Sequence, residues 1–152
     1  MSRSLGIWAK KQEVYLAVAE DGVVVEVEPQ RIEAPSVMEE NERLDGFLTS
    51  IRHAIDEVSP DAVRILQPEQ VYEASYSEFA PRITLEALVR LACVQAGVPV
   101  EVLHRMTPRS RTGLPRRGSL DDLISANVDP VGKYWNAGRK YAAVAALASV
   151  GE

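Results

Sequence analysis

The sequence predicts an α/β domain built on a mixed five-stranded sheet flanked by helices, with elements in the order βββαβαβα. Three observations carry this prediction. Three short apolar runs open the chain, separated by two tight-turn signals, the pattern of strands joined by hairpins. Two stretches of helical period then bracket one short apolar run, so that run is reached and left by long crossovers and pairs in parallel. The closing segment, residues 134–150, is dense in alanine and able to lie close against a sheet.

Taken in order, Leu5-Gly6-Ile7 opens the first strand, and Lys10-Lys11 turns into a second over residues 14–19. Val14, Leu16 and Val18 alternate on one face of that strand, as a half-buried strand requires. Asp21-Gly22 suits a two-residue hairpin loop, because glycine accepts the positive φ that such a loop needs. A valine-rich third strand follows over residues 23–28, and the first two strands pair antiparallel. Pro29 and Pro35 bracket a loop, and Ser36 has the spacing of an N-cap with Glu39 three residues on. Leu44, Phe47, Leu48, Ile51, Ile55 and Val58 recur at helical spacing and form one stripe to be buried. Ser59-Pro60 ends that helix.

Residues 62–66 read as a short central strand stopped by Pro68. A loop through Tyr72 and Tyr76 leads to Pro81 and a second helix with apolar positions Leu85, Leu88, Val89, Leu91, Ala92 and Val94. Gly97 ends it, and residues 98–103 supply the fifth strand. A Pro/Gly/Arg-rich stretch covers residues 107–118, and Ser119 with Asp121 and Asp122 begins a short helix, where acidic residues suit the first turn. The last helix is expected over residues 134–150. There is no glycine fingerprint after the first strand, which argues against a dinucleotide-binding doubly wound sheet.

Composition narrows the function classes. A length of 152 residues suits one domain, residues 1–152, with a proper core. No apolar run approaches the length that spans a bilayer, and Lys10 and Lys11 interrupt any signal-peptide core, so a soluble cytoplasmic protein with no membrane partner is expected. Cys93 is alone, which excludes an intrachain disulfide or a cysteine zinc site, and its apolar helical setting reads as a buried structural thiol. The net charge of −5 argues against broad attraction to nucleic acid. The charge is uneven, however: residues 1–100 carry 9 Lys and Arg against 17 Asp and Glu, whereas residues 101–152 carry 8 against 5. The terminal third is therefore either a local anion site or a solvated loop.

On these elements the chain resembles the RNase H-like superfamily, in particular its RuvC-type Holliday-junction resolvase branch. The residues that carry the resemblance are Leu5-Gly6-Ile7 in the first strand, Ser59-Pro60-Asp61-Ala62-Val63 at the entry to the fourth, and Val100-Glu101-Val102-Leu103 with Thr107-Pro108-Arg109 after the fifth. Tyr141-Ala142-Ala143-Val144-Ala145-Ala146 is similar to the family's alanine-rich last helix. The chain also has a general similarity to small bacterial proteins of that fold. The resemblance implies a homodimer, and in the nucleases of the family it implies carboxylates that hold two magnesium ions for phosphodiester hydrolysis.

Those carboxylates are missing at the matching positions. Trp8 stands where the first acid is implied, Leu66 or Gln67 at the second, and Asn136, Gly138, Arg139 and Lys140 at the start of the last helix. Displaced acids offer an alternative: Glu13, Glu69 and Asp129 would have to converge on Mg2+ or Mn2+, with Glu69-Gln70-Val71-Tyr72 similar to a string the family carries a few residues away. Solvated surface acids are the competing reading, and Asp121-Asp122 reads as a helix-start pair.

Other chemistry is thin. His53 lies in a helix beside Arg52, His104 ends the fifth strand, and no phosphate loop, nucleophile elbow or His-Glu-x-x-His motif is present. Trp8, Tyr134 and Trp135 are either base-stacking surfaces or core anchors. The expectation is a catalytically inactive RNase H-like domain with no cofactor. It acts either as a nucleic-acid-binding module for DNA or RNA, through Arg105, Arg109, Arg111, Arg116, Arg117, Lys133, Arg139 and Lys140, or as an assembly module with a protein partner or a second copy. The alternative is a divergent metal-dependent nuclease.

Overall fold

The computed structural model describes residues 2–34, 39–67, 76–103, 114 and 118–148, with the backbone alone at 76–79. β1 (Arg3–Lys10) and β2 (Glu13–Glu20) pair antiparallel from Arg3 opposite Glu20 to Lys10 opposite Glu13. Their turn places Lys11 at φ 56°. The Asp21-Gly22 turn has positive φ at both residues, 51° and 84°, the geometry that matches the twist of a two-residue hairpin.

The third strand expected over residues 23–28 ends at Val25, and a further strand forms inside the stretch read as a loop between Pro29 and Pro35, which gives the sheet six strands where five were read. β3 (Val23–Val25) and β4 (Arg31–Glu33) both pair antiparallel with β2 and together make one interrupted edge. Val25 lies opposite Val18 and Arg31 opposite Tyr15, so the five residues 26–30 face only Leu16 and Ala17. The surplus is a large bulge. Its Gln30 is buried, while its carbonyl accepts a 3.0 Å bond from the Leu16 amide.

α1 (Glu40–Val58) begins after Glu39, so Ser36 is not its cap; Ser36 itself lies outside the described residues. Phe47, Ile51, Ala54, Ile55 and Val58 form the buried stripe, and Ser59 closes the helix at φ 51° with its amide on the Ile55 carbonyl. β5 (Ala62–Leu66) then pairs parallel with β1. α2 (Tyr76–Ala96) starts upstream of the sequence expectation and runs through Pro81, whose fixed φ is compatible with a helix at the loss of one backbone bond. β6 (Val100–Leu103) completes the order β3-β2-β1-β5-β6 as a second parallel neighbour.

α3 (Leu120–Asn127) is capped as expected, the Ser119 side chain accepting from the Asp122 amide at 3.1 Å. The last helix is shorter than its alanine content suggested. Residues Trp135–Arg139 form a wide turn broken at Gly138, and regular helix is confined to α4 (Lys140–Leu147).

Strand alternation sorts the core onto two faces. Leu5, Ile7, Val14, Leu16, Val18, Val63 and Ile65 meet Phe47, Ile51, Ile55, Leu85, Val89 and Cys93 from α1 and α2. Burial pushes the Cys93 thiol up to about 11, in keeping with an inert structural residue. The opposite face receives α3 and α4. Here Gly6 lets α4 rest backbone to backbone on β1, since a Cβ at Gly6 would strike the Ala142 carbonyl and the Ala146 amide nitrogen. Among the described residues, no helix is long and apolar enough to cross a membrane.

Candidate functional site

The α4 face is where the sequence leads one to look for chemistry, because Trp8 points there. In the sheet Trp8 lies between Tyr15 on β2 and Leu66 on β5. The turn before α4 crosses directly above it. A Cβ at Gly138 would come 2.5 Å from the Tyr15 ring and 2.7 Å from the Trp8 ring, so only glycine allows this approach.

Four rings form a continuous row across this end of the sheet. The Trp8 and Tyr141 centroids are 4.6 Å apart, Trp8 and Tyr15 6.1 Å, and Tyr15 and Tyr134 6.4 Å. A cation closes each end: the Arg31 guanidinium lies 4.4 Å from the Tyr134 ring centre, and Lys140 Nζ 5.4 Å from that of Tyr141. Tyr15 donates to the Glu13 carboxylate at 2.6 Å, and burial together with that carboxylate pushes its phenol up to about 12. Tyr141 donates to Asp121, which also pairs with Lys140 at 3.1 Å. The Tyr141 hydrogen bond, then Lys140, hold the Asp121 carboxyl below its ordinary range.

Arg139 does not stand on the surface as expected of a phosphate contact. It is fully buried, and Nε donates to the Leu16 carbonyl at 2.8 Å. Nη1 donates to the carbonyls of Val131 and Lys133. The bulge leaves Leu16 without a strand neighbour for its carbonyl, and Arg139 supplies the donor. Burial pulls its guanidinium below the usual range, while Glu26 and Glu28 act in the opposite sense. Gln30 sits beside it, accepting from the Lys133 amide at 2.7 Å and donating to Glu28 at 2.8 Å.

The remaining sequence-predicted residues are only partly among the described ones. Glu13 is committed to Tyr15 and lies 3.7 Å from Arg31, and Asp129 is exposed on the segment after α3. Lys133 is exposed, whereas the Lys140 side chain is largely covered and neutralised by Asp121. Glu69, Arg105, Arg109, Arg111, Arg116 and Arg117, together with His104, lie outside the described residues. His53 is exposed and 3.6 Å from Glu57, an ordinary helix-surface pair. Trp135 is buried in the core of the α4 face, so it is an anchor and not a stacking surface.

These neighbours do not fit a divalent cation. Magnesium requires converging oxygen ligands, and the positions around Trp8 present rings, a glycine and the side chains of Leu66 and Lys140. No group of three or more potential metal ligands occurs among the described residues. Sequence reasoning named Trp8, Tyr134 and Gly138 but missed Tyr15, Tyr141 and Arg31. One signal would have found Tyr15: a two-residue turn at Lys11 and Gln12 sets it directly opposite Trp8.

No protein-family model matches the chain, and no curated protein matches it in sequence. Solved structures do match. The chain superposes on Thermus thermophilus RuvC with a TM-score of 0.74 at 15% identity, covering 95% of this chain and 91% of that one. T. thermophilus RuvC in complex with a Holliday junction substrate gives 0.70 at 15% identity, covering 97% and 91%. The yeast mitochondrial Holliday junction resolvase gives 0.58 at 16% identity, covering 97% and 75%. The fold is therefore the RNase H-like fold in its RuvC-type form.

Proposed function

We propose that this chain is a catalytically inactive RNase H-like domain that works by binding nucleic acid. The observation that carries the first half is the row of rings centred on Trp8, which occupies the place where the resemblance implies the first metal-binding acid. A two-metal phosphodiesterase must hold its ions about 4 Å apart among several carboxylates. Here the space is filled by Trp8 and roofed by Gly138, with Lys140 alongside.

The binding half draws on the basic terminal third and on the fold. RuvC of T. thermophilus, a chain of the same fold, is known in complex with a Holliday junction substrate, which supports this reading. Lys133 and the arginines of residues 105–117 are the cations left for phosphates, once Arg139 is counted as buried and Lys140 as paired. Counterion release makes such binding fall steeply with salt. A cytoplasmic location suits this role.

Titration with Mg2+ and Mn2+, alongside cleavage of branched and single-stranded DNA, tests the inactive reading. Neither heat of metal binding nor cleavage is expected. Metal binding and cleavage that both disappear in Glu69→Gln would instead establish the nuclease alternative with displaced acids.

A second reading, assembly with another copy, is favoured by one feature. Ile83, Leu91 and Val94 are exposed large apolar side chains along α2 at helical spacing, with Arg90 on the same face.

A further inference from the structure

The turn before α4 holds an exposed aromatic in an unfavourable backbone conformation. Tyr134 sits at φ 60°, ψ 21°, the left-handed region, and its surface remains 40% exposed. A bulky non-glycine residue there is uncommon, and such strain persists where surrounding contacts over-determine it. The contacts hold both peptide groups of the preceding residue, Lys133. Buried Gln30 accepts from the Lys133 amide at 2.7 Å, and buried Arg139 donates to the Lys133 carbonyl at 3.0 Å. Tyr134 is thus presented from a turn fixed from beneath by two interior polar side chains.

What the ring presents is equally specific. A flat cationic group, the Arg31 guanidinium, already lies against it at 4.4 Å, and the exposed Lys133 precedes it in the chain. Arg31 is itself paired with Glu33 at 3.0 Å and lies 3.7 Å from Glu13. Those carboxylates leave the patch with little net charge, so simple attraction to phosphate is not its strength. Arg31 covers one face of the ring, so a flat group that stacks on it has to use the exposed surface Arg31 leaves open.

We propose that Tyr134, backed by Arg31 and flanked by Lys133, is a stacking site for an unpaired nucleobase. The inference rests on the nucleic-acid reading above and adds to it the feature that is recognised: a base free of its partner. Stacking on an aromatic side chain is tolerant of sequence and needs an accessible base face, which a blunt duplex does not offer. It also differs in salt response from the phosphate contacts of the arginine-rich stretch.

The test is fluorescence anisotropy of labelled oligothymidylate and of a labelled blunt duplex, with wild type, Tyr134→Asn and Tyr134→Phe, over a range of salt. Asparagine tolerates the left-handed conformation, so Tyr134→Asn is expected to remain folded, as its melting curve checks. Its affinity for the single strand should fall by about 5- to 100-fold, the range of one lost base stack, with the duplex affinity and the salt slope unchanged. Tyr134→Phe keeps the ring and should bind as wild type does. Single-strand affinity equal to wild type in Tyr134→Asn, or an equal loss for duplex and single strand, would overturn the stacking site while leaving nucleic-acid binding in place. A wild-type protein that binds neither probe would overturn the nucleic-acid reading itself, and the stacking site with it.

Discussion

Arg139 and Gly138 are adjacent in the chain and do opposite work at the start of α4. Gly138 is needed for what it lacks, because any side chain would enter the Trp8 and Tyr15 rings. Gly138→Ala should lower stability by about 1–3 kcal/mol, the usual range for overpacking, measurable as a shift in the urea midpoint without a change in slope. Arg139 is needed for its donors. Arg139→Met should cost at least about 2 kcal/mol in the same measurement, since carbonyls of Leu16, Val131 and Lys133 lose their partner in a buried setting. The two residues also mark the limit of sequence reading at this scale. The absence of an acid at residue 8 is plain in the sequence. That Arg139 faces inward is not, because it depends on the bulge at residues 26–30, and Pro29 marks a break without showing that pairing resumes at Arg31.

Elements with strong periodicity were legible: the apolar stripe of α1, the Asp21-Gly22 turn and the Ser119 cap all follow from local chemistry. α2 was less so, because Pro81 reads as a start when it is an interior residue. The same helix carries Glu86, which is buried, bonded to Arg82 at 2.8 Å, and raised above its ordinary range chiefly by that burial. A carboxyl whose folded value is raised binds more protons in the folded state than in the unfolded one. Its charging therefore lowers stability as pH rises through and above the ordinary glutamate range. Wild type should lose stability between mildly acidic and neutral pH relative to Glu86→Gln, whose curve should be flatter and higher at neutral pH. Denaturant melts across that window, compared between the two proteins, check the sign.

For the whole molecule, the βββαβαβα order and the parallel pairing of β1, β5 and β6 were readable from spacing alone, because crossover length constrains strand direction. Surfaces were not readable in this way, since sequence does not say which apolar residues find a neighbour. The α2 stripe is the example, and it leads to a prediction on this scale. Sedimentation velocity at rising concentration should show self-association that Leu91→Lys abolishes, with no loss of thermal stability, because Leu91 is 44% exposed. A wild-type monomer at every concentration would remove the assembly reading.

The contact between Gly6 and α4 has a consequence for how the molecule is made. Ser4 and Gly6 meet Ala142 and Ala146, so β1 is completed by a helix whose contact with Ser4 lies 142 residues further along the chain. The α1 and α2 side of the sheet can form while synthesis continues. The other side stays bare until α4 docks, so closing it waits on a contact of long sequence separation, which is slow to form and leaves apolar strand surface exposed meanwhile.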